Sequence, residues 1–233
     1  MNHIPIYISV GFILITLLTV FFFYKASRNN RTLLFVVFAW MGIQAAVAAT
    51  GFFTVTDTIP PRFVLLLALP MAAIAFTLFT RKGRSFVEGF DLQQLSLLHA
   101  IRIGVEIVLF LLFLNKALPQ LMTFEGRNFD LVAGVTAPMV YYLGFIKRRI
   151  SGTGILAWNV ICLGILLFTV GNAILSAPTP FQKFGFDQPT VAVLYFPFVW
   201  LPGIVVPLVI MSHLVTIRSL LKSKSANSLV LNH

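Results

Sequence analysis

His99, Arg102 and Glu106 stand three and four residues apart in a run, 94–116, that is otherwise mostly Leu, Ile, Val and Phe. At about 100° of rotation per residue the three return to one side of a helix and form a polar stripe. A rise of about 1.5 Å per residue puts His99 roughly 7 Å, Arg102 roughly 12 Å and Glu106 roughly 18 Å beyond Gln94. An ionisable group at the middle of a hydrocarbon layer costs about 2.5 kcal/mol or more, and such groups face cavities or pathways.

Two kinds of chemistry suit this stripe. Arg102 could hold an anion while Glu106 or His99 couples a proton, which makes binding or translocation of a small polar or anionic molecule the leading expectation. Arg102 and Glu106 are also four apart and could form an intrahelical ion pair, although Arg ahead of Glu is the weaker order. A structural pair of that kind would lock helix packing and bind nothing. Against it, a buried ion pair is often worth less than an apolar pair of the same size.

Asn159 and His213 fall at similar depth in other apolar runs, with Tyr141 and Tyr142 nearby in depth on a third. A layer of His99, Asn159 and His213 below Arg102 is therefore geometrically possible, though spacing does not say whether these helices adjoin. Its two imidazoles offer an alternative, a bis-histidine haem with Arg102 on a propionate. No cofactor is expected otherwise, and no metal site: C-x-x-C-H, H-E-x-x-H and close His/Cys/carboxylate clusters are missing from the sequence, and His3 and His233 sit at its two ends. No lysine falls between Val191 and Leu221, as a microbial-type retinal protein would need. There is no G-x-S-x-G, P-loop or dinucleotide fingerprint. Catalysis would rest on His99, Glu106 or Glu125 acting on a lipid, quinone or other membrane-soluble substrate. The balance leans away from an enzyme, and a sensor or scaffold is the third alternative.

The elements that must position these residues follow from composition. Of 233 residues 58% are hydrophobic and only 10% charged, against about 25% charged in a soluble domain. Apolar runs recur that match the roughly 20 residues needed to cross about 30 Å of hydrocarbon. The expected fold is an all-α integral membrane protein, a single domain over 1–233 of seven transmembrane helices at about 5–24, 33–55, 62–80, 94–116, 131–147, 154–177 and 191–217. The first is read as a retained span, since Lys25 follows rather than precedes its apolar run.

The net charge of +10 does not point to nucleic acid, because the basic residues cluster between apolar runs. Twelve of the 17 lysines and arginines fall in the connections after spans one, three, five and seven; Arg62, Lys116, Arg127 and Lys183 fall on the other side. Lys and Arg concentrate in cytoplasmic loops. The expected orientation is N-terminus outside and C-terminus cytoplasmic, in the cell (inner, plasma) membrane, with the lipid bilayer as partner and a small-molecule ligand.

Spans one to three and five to seven would run in the same directions, with proline-bearing outer connections and Pro70 or Pro202 and Pro207 in the third helix of each half. Such parallel repeats occur in transporters, but the halves show no residue-by-residue match. Two outer loops, 117–130 and 177–190, carry apolar residues that would be exposed patches in water. They are expected to fold back over the bundle as a roof. Glu125, Arg127 and Asp130 are the loop's candidate site residues, with Asn128 or Asp130 as a helix cap. Phe181, Phe184 and Phe186 serve as interfacial anchors, and the lone Cys162 as a small core residue.

Overall fold

Four helix starts carry a side-chain cap. Asn30, Thr80, Asp91 and Ser151 accept a hydrogen bond from a backbone N–H two or three residues on, at the head of α2 (Arg31–Ala49), α4 (Arg81–Glu88), α5 (Leu92–Leu98) and α8 (Gly152–Leu175). Side-chain caps of this type each contribute about 1 kcal/mol. The remaining helices are α1 (Ile6–Ala26), α3 (Val64–Phe79), α6 (Ile101–Leu114), α7 (Asp130–Val140) and α9 (Val206–Val230). The computed structural model describes residues 4–230, and side chains as far as Lys224; His3 and His233 lie outside these. Among the described residues there is no strand.

Five helical stretches are long and apolar enough to cross a membrane: α1, α2, Leu92–Leu114, α8 and Leu201–Lys224. A sixth appears when α3 and α4 are taken as one span, although they bend by 89° at Thr80. Asp130–Ile146 is apolar but shorter. Helix therefore occurs in each of the seven apolar runs, with different limits. The second run is helical only to Ala49 before a 3-10 turn, and the last begins with a 3-10 turn, Ala192–Leu194, becoming continuous helix only from Leu201. The chain is a membrane-embedded, multi-pass helical protein.

The central run departs from one uniform helix. Between α5 and α6, Ala100, Arg102 and Ile103 donate to the carbonyls of Leu97, His99 and Ala100, three residues back rather than four. This tightened turn changes the angular offset between His99 and the residues beyond it. α5 and α6 pack on α1, α7 and α9, so the run sits at the centre of the bundle.

Prolines interrupt α3, α7 and α9, and at α9 side chains close the gap. Pro207 has no N–H to offer the Gly203 carbonyl one turn back. Trp40 Nε1 and Gln44 Nε2 of α2 donate to that carbonyl instead, each at 3.3 Å. The π-helical turn Leu201–Val205 is thereby tied to α2. A Cβ at Gly203 would collide with the Gln44 amide. At the surface, Lys222 Nζ donates to Glu88 Oε1 at 2.8 Å, joining α9 to α4. That ammonium holds the Glu88 carboxyl below the usual carboxylate range, so the tie is present at neutral pH and is lost as pH falls through the lowered pKa.

Close approach of α6 and α7 depends on Gly134, where a Cβ would meet Ile103 Cγ1 and the Ile103 backbone nitrogen at 2.9 Å. Small residues permit this kind of helix contact in membranes. Gly134→Ala is expected to lower stability by about 1–3 kcal/mol through overpacking, read as a fall in thermal midpoint in detergent. Ala at Gly164, where nothing lies within 4 Å, is the matched control and is expected to leave the midpoint unchanged or raised.

Candidate functional site

Arg102 projects from the second residue of α6 and is 3% exposed. Its Nη2 donates to Asp130 Oδ1, the first residue of α7, in a buried ion pair. Its Nη1 meets His213 Nε2 at 3.4 Å. The intrahelical pair open to Arg102 and Glu106 does not form: Glu106 Oε1 accepts from Asn128 Nδ2 at 2.6 Å, and Oε2 has no hydrogen-bond partner. Asp130 wins the guanidinium because Gly134 lets α7 lie against α6.

Asn128 ties this upper cluster together. Its amide donates to Glu106 and to the Met122 carbonyl (3.1 Å), and its Oδ1 accepts from the Asp130 N–H (3.0 Å) and Thr169 Oγ1 (3.1 Å). Both donor positions and both acceptor positions of an amide are thus filled. It also completes the start of α7, as a cap was expected to do, leaving the Asp130 carboxylate for Arg102.

The lower layer that depth allowed does form, with His99 Nδ1 its one ring nitrogen without a partner. An arginine can only donate, so His213 Nε2 accepts and Nδ1 carries the proton, which goes to Asn159 Oδ1 at 2.9 Å. Asn159 Nδ2 in turn donates to the Ile155 carbonyl at 2.9 Å. The His99 ring stacks on His213 with centroids 3.8 Å apart, and Trp158 packs its ring against both. Ser212 Oγ gives its one proton to the Leu95 carbonyl (3.0 Å), which makes His99 Nε2, 3.2 Å away, the donor to that hydroxyl. Stacked rings present faces, not nitrogens, to each other, and His213 has both nitrogens engaged. The arrangement does not fit a haem held between His99 and His213. Among the described residues no group of three or more His, Cys, Asp or Glu side chains could hold a metal ion.

A cavity of about 270 Å³ lies above this layer, between α3, α6, α8 and the stretch 201–209. It is apolar over almost all of its wall, with Leu67, Met71, Leu109, Leu166 and Val170 among its lining. Arg102, Glu106, Asn128, Asp130 and Thr169 supply one polar wall, and Thr190 lies towards the roof. The pocket expected to be polar and to include His99 is therefore mainly apolar, and His99, Asn159 and His213 do not line it.

The two loops, 117–130 and 177–190, fold back over the bundle. Leu118 and Met122 from one and Ala177 and Thr190 from the other line the cavity. Gln188 Nε2 donates to the carbonyls of Phe113 (2.8 Å) and Leu118 (2.5 Å), and the N–H groups of Val191 and Ala192 donate to the Ala117 carbonyl. Of the loop candidates only Asp130 reaches the site. Glu125 and Arg127 are exposed, the latter with its guanidinium 5.5 Å from the Phe184 ring centroid. Trp158, Thr169 and Ser212 are site residues that spacing did not reveal, since each looks like an ordinary membrane-helix residue.

Fold and site together define a multi-pass helical membrane protein with an internal cavity walled on one side by a buried charged cluster. Residues 59–221 match a family described as a domain of unknown function, DUF8737, and the chain belongs to that family. Every residue lining the cavity falls within the matched segment. No curated protein and no solved structure matches the chain.

Breaking a buried ion pair by removing one partner costs about 3–5 kcal/mol, whereas an apolar replacement of both costs far less. Asp130→Ala is expected to lose stability on that scale, and Arg102→Met with Asp130→Leu to lose much less. Unfolding of the purified variants in mixed micelles measures both.

Proposed function

We propose that this protein binds a lipid-soluble small molecule in the cavity, with its apolar body against α3, α6 and α8 and its head at the wall of Arg102, Glu106 and Asp130. One observation carries the reading: a nearly all-apolar cavity holds, in its single polar wall, a carboxylate oxygen without a partner. An unpartnered buried polar atom is costly, and a bound head group relieves that cost. Arg102 already has Asp130 beside it, so an anion finds its charge compensated, and the apolar lining favours a lipid-like body over the polar or anionic solute suggested by the stripe alone.

α3 packs on α9 and the turn before it, while α6 and α8 form the facing wall. The bilayer side, between α3 and α8, is the way in for such a molecule, because the outer loops close the roof.

The same reading places seven helices across the cell membrane, with α3 and Asp130–Ile146 as the short spans, the N-terminus outside and the C-terminus inside. The charge distribution supports it. In a Cys162→Ala background, a cysteine at Lys183 is expected to react with an impermeant maleimide on intact cells, and one at Arg148 only after permeabilisation. The reverse pattern, or labelling of both from outside, would overturn the orientation.

Native mass spectrometry tests the binding itself. The protein extracted in mild detergent is expected to carry a small hydrophobic molecule, and Ala173→Phe, which fills the cavity from α8, to lose at least about nine-tenths of it with the thermal midpoint retained. Equal retention by both proteins, or by neither, would refute the proposal.

A further inference from the structure

The residues of α3 that line the cavity stop at Met71, and the helix runs on to Phe79 before the chain turns through 89° into α4. That elbow is rigidly built. The Gly83 N–H donates to the Thr80 hydroxyl at 3.2 Å, and a Cβ at Gly83 would collide with the Thr77 backbone, so the turn can be this tight only with glycine there. Val87 and Phe90 are buried beyond it. Phe90 packs edge-on against Phe86 and against Phe23 of α1, with ring centroids 5.2 and 5.6 Å apart, and the Asp91 N–H donates to the Ala26 carbonyl. α4 is thereby fixed at the ends of α1 and α9, nearly at right angles to α3.

Positive charge at the elbow is unopposed. At about 100° per residue Arg81, Arg84 and Ser85 fall on one side of α4, Gly83 and Val87 on the other, and Lys82 at the flank. Arg81 and Lys82 are exposed and Arg84 is half-buried. Glu88, the only acidic residue of α4, is already taken by Lys222. Among the described residues no ion pair involves Arg81, Lys82 or Arg84. Two and three residues before Arg81 and Lys82 stands Phe79, which with Phe76 projects from the last turns of α3; the two rings are 81% and 72% exposed. Cations therefore adjoin bare aromatic surface.

We infer that the elbow between α3 and α4 holds an anionic phospholipid, its phosphate among Arg81, Lys82 and Arg84 and its acyl chains along Phe76 and Phe79. This rests on α3 being one of the spans proposed above and is independent of what the cavity holds. With α3 standing in the hydrocarbon, a helix at right angles to its end lies in the headgroup layer, the setting of an amphipathic helix with a basic face. Each Lys or Arg near the surface raises the occupancy of an anionic lipid by about fivefold. An acidic peptide or a free anion would meet the cations but leave the two phenylalanines beside them without a partner, whereas a lipid engages both.

Two probes with the same diazirine-bearing acyl chains test this, a phosphatidylglycerol and a phosphatidylcholine. Each is added to the full-length protein in phosphatidylcholine nanodiscs, and crosslinks to residues 76–79 are quantified by peptide mass spectrometry. The phosphatidylglycerol is expected to label this segment at least about tenfold more strongly at about 0.15 M salt, and to lose most of that preference at about 1 M. Arg81→Gln, Lys82→Gln and Arg84→Gln together are expected to bring the two probes within about twofold of each other with the thermal midpoint retained, whereas glutamine at the exposed Lys147, Arg148 and Arg149 leaves the preference in place. Equal labelling by the two probes in the unmodified protein, a preference untouched by the elbow substitutions, or one lowered alike by both sets would overturn the assignment while leaving α3 in lipid. So would displacement of the phosphatidylglycerol by an equal concentration of inorganic phosphate or of an oligoglutamate peptide. No labelling of residues 76–79 by either probe would remove α3 as a span as well.

Discussion

The ion pair between Arg102 and Asp130 is the constraint to which the interior answers. A guanidinium cannot be deprotonated in a protein, so once folding carries Arg102 into an apolar bundle something must neutralise it. A carboxylate at the head of α7 supplies the countercharge, and a neutral imidazole on α9 accepts a further hydrogen bond. Each demand then passes outward: His213 must present a bare nitrogen, so Asn159 must accept its other proton, so the Ile155 carbonyl must take the amide. One fixed charge sets the orientation of side chains on α6, α7, α8 and α9.

The same logic governs the backbone. Prolines in membrane helices strip carbonyls of their partners, and no water reaches them in hydrocarbon. Here α2, which lies outside the family-matched segment, closes such a gap with Trp40 and Gln44 at Gly203. Trp200 answers by donating to the Met41 carbonyl at 3.1 Å. α1 and α2 thus serve the cavity without lining it: they fix the start of α9, whose first turns form one wall.

Much of this was legible before any coordinates. The apolar runs, and the ionisable residues that interrupt one of them, stand out in the sequence because burying charge is rare, and helical rise put His99, Asn159 and His213 at similar depth without saying that their helices adjoin. The partners of Arg102 were not legible, because they lie 28 and 111 residues away on other helices. Periodicity orders residues along one helix and says nothing of which helix faces which. Asp130 was read as a loop residue, yet Gly134 brings its helix close enough to displace Glu106 from the guanidinium. The apolar nature of the cavity was hidden for a similar reason: Leu and Val that line a void have the same spacing as Leu and Val that fill a core.

Two of the helices flanking this interior are short. Val64–Phe79 has 16 residues and Asp130–Ile146 has 17 by its bounds, reaches of about 24 and 25 Å beside a hydrocarbon layer of about 30 Å. On the seven-span reading proposed above, acyl chains touching them compress, at a fraction of a kcal/mol per ångström of mismatch. On that reading α3 is both one of these undersized struts and a flank of the cavity, so bilayer thickness bears directly on the side proposed as the way in. A thin, sterol-poor membrane relaxes that pressure, and a thick one leans on the cavity's doorpost.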